Sequence, residues 1–185
     1  ASNTIPIVFA PVGDPVATKL VHSLAKPGGN MTGLTILTPE LSAKRLELLK
    51  ESVPGASRVA VLWNAANPAK LIDLKELQLA TDTMWVSLDS LEVRTPQDID
   101  LLLRTTMPSA ADAFLVLEDA LTNANRGRIA EFALKNRLPG IFPSPEFVTA
   151  GGLMSYSQSN IDLFRRAAVY VDKILKGCQT WAITR

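Results

Sequence analysis

Two adjacent carboxylates, Glu118 and Asp119, end the predicted strand that begins at Ala113 and reads AFLVLED. Carboxylates in this position can bind a metal ion, transfer protons, or accept hydrogen bonds from the ammonium or hydroxyl group of a ligand. In a milder interpretation, one of them caps the following turn and the other contacts the ligand. We therefore predict a ligand-binding role for the pair. A small α/β enzyme that uses Glu118 or Asp119 is kept as an alternative.

Two asparagines, Asn64 and Asn67, flank a turn after a second apolar segment, RVAVLW, which ends at Trp63. Asn67 precedes Pro68, and a capping residue before a first-turn proline indicates the start of a helix. Asn64 lies nearer the strand end, where its side chain can face a ligand. Trp63 is either a core residue or a wall of the binding pocket.

A third polar turn, Gly13-Asp14-Pro15, follows the predicted strand Ile5–Phe9 and precedes a predicted helix. The free N–H groups at a helix N-terminus bind anions, so this helix start suits the carboxylate of a ligand. Gly13, Asp14 and, at the end of the next strand, Thr35 are therefore candidate ligand contacts.

Other kinds of chemistry find little support in the composition. His22 is the only histidine and Cys178 the only cysteine, so histidine or cysteine metal sites and Ser-His-acid triads lack ligands and partners. No glycine-rich nucleotide-binding loop follows a strand, and no Gly-x-Ser-x-Gly elbow occurs. We predict no cofactor, no metal and no catalytic residue, hence a binding protein and not an enzyme.

Charge is balanced along the chain. The formal net charge is +1 and there is no basic field, which argues against a nucleic-acid partner. Lys44, Arg45 and Lys50 share the helix after Pro39 with Glu47 and Glu51. This mixed spacing predicts a solvated helix face.

Strand and helix signals alternate, which predicts an α/β fold with a doubly wound parallel sheet. Five predicted strands between Arg58 and Tyr156 form one complete lobe, with the strand order second, first, third, fourth, fifth. Ligands in such sheets bind beyond the carboxyl ends of the strands, where the order reverses. That point lies between the strands ending at Trp63 and Glu118, and Ser144 and Tyr156 are expected to line the same rim. Predicted strands are Ile5–Phe9, Met31–Thr35, Arg58–Trp63, Val86–Val93, Ala113–Glu118, Gly140–Phe142 and Leu153–Tyr156.

Three ordered segments carry a resemblance: IPIVFAPVGDPVATKLVHSLAKPGGNMTGLT, ELSAKRLELLKESVPGASRVAVLWNAANP and GGLMSYSQSNIDLFRRAAVYVDKILKG. Together they resemble the substrate-binding proteins of ABC transporters with a type I periplasmic binding-protein fold, in the branch that includes binders of aromatic amino acids. The resemblance covers the chain from Ile5 to Gly177.

The resemblance implies two α/β lobes joined by hinge strands, with a small polar ligand, for example an amino acid, captured in the cleft without chemistry. It implies a partial lobe one over residues 1–38, a complete lobe two over 39–158, and a return helix of lobe one with an atypical tail over 159–185. It also implies that the full-length parent protein is periplasmic or extracytoplasmic and delivers its solute to an ABC permease at the membrane.

Family members carry further segments, so we expect this chain to be a fragment without a signal peptide. The missing part of lobe one predicts exposed apolar surface and self-association. The ending GCQTWAITR departs from the family pattern, as either a frameshifted tail or a natural end. The alternative function is the effector-binding domain of a LacI-like transcription regulator. That class shares the fold but needs a helix-turn-helix, for which the sequence gives no signal.

Overall fold

The computed structural model describes residues 4–13, 15–16, 18–24, 26–36, 38–104 and 111–178. The chain divides into two compact units: unit 1 comprises Ala1–Leu37 with Gln158–Arg185, and unit 2 comprises Thr38–Ser157. Strands and helices alternate, which confirms the predicted α/β class. In chain order the elements are β1 (Ile7–Val12), β2 (Met31–Thr35), α1 (Thr38–Ser52), β3 (Arg58–Asn64), α2 (Ala69–Met84), β4 (Ser87–Val93), α3 (Pro96–Arg104), β5 (Ala113–Val116), α4 (Ala120–Ala124), α5 (Arg126–Lys135), β6 (Gly140–Phe142), α6 (Pro145–Thr149), β7 (Met154–Ser155) and α7 (Asn160–Leu175).

Unit 2 contains a five-stranded sheet with the order β4-β3-β5-β6-β7. All of its neighbouring strands pair in parallel, and Leu62 of β3 lies opposite Val116 of β5. This is the predicted order, with the reversal between β3 and β5. The strand predicted over Ala113–Glu118 is shorter in the structure. It ends at Val116, so Glu118 lies in the loop beyond the strand.

The central strands β3, β5 and β6 of unit 2 are buried on both faces, whereas the edge strand β4 is largely exposed. Successive residues of a strand point to opposite sides, so each central strand contributes to two clusters. Val59 and Val61 of β3 belong to one apolar cluster, and Ala60 and Leu62 belong to the other. Burial on both faces explains why the strands read as nearly continuous apolar runs. The first cluster includes Leu46, Leu49, Leu74 and Leu77 of α1 and α2, and the second includes Ile99, Ile129, Phe132 and Phe147 of α3, α5 and α6.

At the starts of two helices of unit 2, polar side chains bond to backbone amides. The Asn67 side-chain oxygen accepts a hydrogen bond from the Ala69 amide at 3.1 Å, at the start of α2. At α3, Thr95 Oγ1 accepts from the Asp98 amide at 3.2 Å, and Asp98 Oδ2 accepts from the Thr95 amide at 2.9 Å. This reciprocal pair is a capping box, which satisfies backbone donors that the helix itself leaves unpaired.

Unit 1 contains the parallel pair β1–β2, with α7 packed against both strands. Leu163, Ala167 and Tyr170 form the buried face of α7. The sequence pattern grouped a different apolar face, and that face is exposed instead. The reason is that the two-stranded sheet covers one side of α7 and leaves the other side open. The exposed residues of the predicted face are Ile161, Phe164, Ala168, Val171 and Leu175.

The helix predicted to begin at Asp14-Pro15 is wrong: turns and bends replace it in the described residues between 15 and 24. The Leu20 amide donates to the Pro15 carbonyl at 2.8 Å, and Lys19 has a φ of 57°, so the chain turns back here. Val16 and Leu20 are 38% and 39% exposed. A short amphipathic helix gains most of its stability from burying one face, and the described part of unit 1 does not bury the apolar side chains Val16, Leu20 and Leu24.

Candidate functional site

The carboxyl edge of the unit 2 sheet brings together the candidate residues of this unit. Because all five strands are parallel, their carboxyl ends lie at one edge. β3, β5, β6 and β7 are successive neighbours in the sheet. The residues at or just beyond these ends are Asn64, Glu118, Asp119, Ser144 and Tyr156.

Asp119 is the centre of a closed hydrogen-bond network at this edge. Its Oδ1 accepts from Asn64 Nδ2 at 2.8 Å and from the Leu121 amide at 2.9 Å, and its Oδ2 accepts from Asn67 Nδ2 at 2.8 Å. The Asn64 side-chain oxygen in turn accepts from the Ala66 amide at 2.9 Å. Asp119 therefore caps α4 and fixes the turns that follow β3 and β5.

The two adjacent carboxylates differ in burial and in hydrogen bonding. Asp119 is buried, and three donors already occupy its oxygens. Glu118 keeps a side chain that is 20% exposed, so it is the carboxylate that a solute can reach. The geometry confirms that one carboxylate, Asp119, caps the following turn. A ligand contact by Glu118 stays a prediction.

Glu118 lies beside a buried arginine. The distance from Arg45 Nη2 to Glu118 Oε2 is 3.9 Å, which is an ion pair but too long for a hydrogen bond. Burial raises the pKa of Glu118 above its ordinary value, and the positive charge of Arg45 opposes that rise. Lys70 also lowers the pKa of Glu118, while Asp73 and Glu146 raise it.

The burial of Arg45 corrects the expectation that its helix face is solvated. Arg45 is 0% exposed, and its Nε donates to the Tyr156 carbonyl oxygen at 2.7 Å. The expectation does hold for Lys44 and Glu47, which form an ion pair with about half-exposed side chains. Charge alternation along α1 did not reveal which cation points inward, because that depends on the partner carbonyl far along the chain.

A second buried ion pair, Lys70 with Asp73, was missed by the sequence reasoning. Lys70 Nζ lies 2.5 Å from Asp73 Oδ2 in the first turns of α2, and both residues are at most 5% exposed. A signal was present, since Lys70 and Asp73 share the helix side of Leu74 and Leu77. Arg45, Lys70, Asp73 and Glu118 thus form a charged cluster next to the β3 and β5 ends, with two positive and two negative groups.

Ser144 and Tyr156 occupy the rim in different ways. Ser144 is 7% exposed and is the N-cap residue of α6. Hydrogen bonding with the Ser144 side chain lowers the pKa of Glu146. Tyr156 follows β7, is 38% exposed, and donates its amide to the Phe142 carbonyl oxygen at 3.2 Å. Its aromatic ring is therefore available at the surface of unit 2.

The remaining candidates belong to unit 1. Gly13 and Thr35 lie at the carboxyl ends of β1 and β2, where Val12 is paired with Thr35 and the Ile36 amide donates to the Val12 carbonyl. Asp14 lies outside the described residues. The anion site predicted at Asp14-Pro15 loses its physical basis, because no helix begins there in the described residues.

Trp63 lies in the core of unit 2 and His22 at the surface of unit 1. Trp63 is 3% exposed, belongs to the core, and donates its indole N–H to Ser90 Oγ at 2.8 Å. His22 is exposed in a turn of unit 1. Over the described part of the chain, His, Cys, Asp and Glu side chains do not gather into a group that could hold a metal ion. No described helix combines the length and apolar composition needed to cross a membrane.

Comparison with known proteins identifies the class. A family model for ABC transporter substrate-binding proteins matches residues 1–184, so the chain belongs to that family. Its fold is the type I periplasmic binding-protein fold, which confirms the predicted architecture of one complete lobe and part of another.

Individual relatives are similar over nearly the whole chain. A tyrosine-binding protein of Clostridioides difficile strain R20291 is 26% identical over 178 residues, covering 96% of this chain and 50% of that protein. The crystal structure of an ABC domain from Streptococcus pneumoniae in complex with L-Trp has a TM-score of 0.87 and 23% identity, covering 98% of this chain and 62% of that one. A conserved domain protein of Vibrio cholerae has a TM-score of 0.85 and 26% identity, covering 99% and 61%. The chain thus spans about half the length of the curated relative it matches.

LacI-family regulators also match, but at greater distance. Those from Corynebacterium glutamicum and Rhizobium etli have TM-scores of 0.63 and 0.51 with 13% and 14% identity. Similarity at this level shows a shared fold and carries no argument for a shared function.

Proposed function

We propose that this chain is the ligand-binding part of a solute-binding protein of an ABC import system. We propose that it binds an amino acid at the carboxyl edge of the unit 2 sheet. Binding requires no bond to be made or broken, so we propose no catalytic role for any residue. The observation that carries the proposal is the largely buried but still accessible carboxylate of Glu118, held beyond β5 at the point where the strand order reverses.

The edge fits a ligand that carries an ammonium group and further polar atoms. Glu118 supplies a carboxylate acceptor that is partly shielded from water, which strengthens its attraction to a cation. Asn64 and Asn67 each use one side-chain N–H on Asp119, and each amide has a second N–H to donate. Ser144 and the ring of Tyr156 extend this rim.

An aromatic amino acid is the ligand class that the relatives support. The Clostridioides difficile relative is a tyrosine-binding protein, and the Streptococcus pneumoniae structure holds L-Trp. In unit 1, Gly13, Asp14 and Thr35 remain candidate ligand contacts, although a helix start no longer supports them as a carboxylate site. We further propose an extracytoplasmic location and delivery to an ABC permease for the protein as a whole, as in other members of the family.

The test is a calorimetric titration of the chain with L-tyrosine, L-tryptophan, and indole-3-propionate, which is tryptophan without its ammonium group. We expect binding of at least one amino acid and no measurable binding of indole-3-propionate. Thermal denaturation with saturating amino acid should show stabilisation, about 2.7 kcal/mol at one hundred times the dissociation constant.

Glu118→Gln removes the negative charge and keeps the shape of the side chain. We expect it to weaken amino-acid binding at least about tenfold, because a charge-assisted hydrogen bond contributes roughly 1.5–3 kcal/mol. Glu76→Gln is the matched control, since Glu76 is exposed on α2 away from the strand ends. Equal affinity of Glu118→Gln and the unchanged chain would remove Glu118 from the site.

A further inference from the structure

Arg45 has an unusual environment for a charged side chain. It is fully buried, and of its guanidinium nitrogens only Nε has a hydrogen-bond partner among the described residues, the Tyr156 carbonyl oxygen. Nη1 and Nη2 are buried without one. Buried donors are nearly always paired, because an unpaired donor keeps the full penalty of leaving water. A guanidinium in this state points to a role beyond packing.

The negative charge next to the Arg45 guanidinium is the carboxylate of Glu118. Glu118 Oε2 lies 3.9 Å from Arg45 Nη2. At that separation the two charges attract strongly in a poorly solvated region, yet the carboxylate oxygens are not occupied by a hydrogen bond from Arg45. The acceptor sites of Glu118 are therefore left for a ligand while its negative charge is held in place.

The other bond of Arg45 reaches the end of unit 2. Tyr156 is the penultimate residue of that unit, and the chain continues into unit 1 at Gln158. The Arg45 Nε bond to the Tyr156 carbonyl spans 111 positions of sequence at 2.7 Å. One rigid planar group is thus bonded to the exit segment of unit 2 and paired with the carboxylate at its rim.

We propose that Arg45 is a positioning residue: it keeps Glu118 negatively charged and directed to a ligand ammonium, and it couples that carboxylate to the segment at which the chain leaves unit 2. The inference rests on the proposed amino-acid binding at this edge. It favours solutes that present a positively charged donor such as a primary ammonium group, because an ionised carboxylate attracts a cation, accepts hydrogen bonds and donates none.

The surroundings of Glu118 define how the proposal is tested. The charged groups that face Glu118 are Arg45 from α1, Lys70 and Asp73 from α2, and Glu146 from α6. Burial raises the pKa of Glu118, and Arg45 is the larger of the two influences that lower it. Loss of the Arg45 charge should therefore raise the pKa of Glu118 further, so that the residue binds a proton at a higher pH.

The experiment is a ¹³C NMR titration of the Glu118 carboxyl carbon, assigned by its disappearance in Glu118→Gln. Arg45→Gln keeps an N–H donor for the Tyr156 carbonyl and removes the charge, whereas Arg45→Lys keeps the charge. We expect the pKa of Glu118 to rise in Arg45→Gln and to stay close to its original value in Arg45→Lys. An unchanged pKa in folded Arg45→Gln would overturn the proposal, because a packing role alone does not alter this titration.

If Arg45→Gln does not fold, a second measurement on Glu118→Gln tests the proposal instead. In Glu118→Gln, we expect the Arg45 Nε–H signal to keep its hydrogen-exchange protection while the Nη signals show faster rotation. Nη signals identical to those of the unchanged chain would refute the coupling between the two residues.

Measurements of amino-acid affinity distinguish a failure of this inference from a failure of the proposed function. We expect L-tryptophan to bind Arg45→Gln about tenfold more weakly at roughly one pH unit below the raised pKa of Glu118 than well above it, because about nine-tenths of the carboxyl groups are then protonated. If the unchanged, folded chain binds neither L-tryptophan nor L-tyrosine, the proposed function fails. The NMR titration still decides the role of Arg45 in that case, because it needs no ligand.

Discussion

Unit 2 and unit 1 differ in how completely they bury their own apolar surface. In unit 2, five parallel strands are covered on both faces by helices, and the residues at their centre are almost fully buried. In unit 1, two strands carry α7 on one side, while Phe164 and Leu175 on the other side of that helix are 58% and 81% exposed. The comparison teaches that a complete sheet with helices on both faces holds its strand ends and their polar side chains in fixed positions, whereas a two-stranded sheet leaves helix faces uncovered.

The largest expected effect comes from the core of unit 2. Phe114 is fully buried, with the rings of Phe132 and Phe142 centred 6.3 Å and 6.2 Å away. We expect Phe114→Ala to lower the free energy of unfolding by about 3–5 kcal/mol, because it leaves a cavity among these rings. The matched change in unit 1, Phe164→Ala, should cost under about 0.5 kcal/mol. Urea unfolding measures both, and similar losses would contradict the difference between the units.

The next effect concerns the network that shapes the candidate site. Asp119→Ala removes the cap of α4 and leaves the amides of Asn64 and Asn67 without their acceptor. We expect a loss of about 2–3 kcal/mol in urea unfolding, because buried donors lose a charged partner. Asp119→Asn keeps one acceptor oxygen and should recover part of the loss. Unchanged stability of Asp119→Ala would mean that Asp119 is not the structural member of the carboxylate pair.

A smaller effect is expected on association through unit 1. The exposed face of α7 predicts self-association of the chain, because large apolar patches on a surface favour contact with other apolar surfaces. Phe164→Ser with Val171→Ser should weaken association at least about tenfold, equivalent to roughly 1.4 kcal/mol. Sedimentation velocity over a range of concentrations measures this. A strictly monomeric unchanged chain would show that the face needs no cover.

The smallest effect is a gain in stability at the end of α2. Trp85 is the C-cap residue, has φ 55° and ψ 46°, and is 88% exposed. This left-handed conformation is unfavourable for residues with a side chain and favourable for glycine. We expect Trp85→Gly to raise the stability of unit 2 by about 1 kcal/mol, whereas Trp85→Ala keeps the strain and should not. A loss of stability in Trp85→Gly would indicate that the indole ring makes a favourable contact.

Much of unit 2 could be predicted from the sequence, because local signals and burial agree there. Apolar runs indicated the strands, Asn67 before Pro68 indicated the start of α2, and the doubly wound pattern predicted the order of the sheet. The helix after Pro15 could not be predicted correctly. Its local signals were good, but a helix of that length depends on a surface to pack against.

The common location of the candidate residues of unit 2 could be predicted, but their hydrogen-bond partners could not, and their contact with a ligand stays a prediction. Parallel strands bring their carboxyl ends together, so Asn64, Glu118 and Ser144 could be assigned to one edge. The inward direction of Arg45 could not be predicted, because its partners Glu118 and Tyr156 are distant in sequence. The division of roles between Glu118 and Asp119 likewise depends on side-chain geometry.

The most direct test is to locate the ligand on the chain by ¹H–¹⁵N NMR during titration with L-tryptophan. The account predicts saturable shifts for the amides at the carboxyl ends of β3, β5 and β6, around Asn64, Glu118 and Ser144. Glu118→Gln should move the same signals only at much higher ligand concentration. Saturable shifts confined to residues away from these strand ends, or none at millimolar ligand with a folded chain, would contradict it.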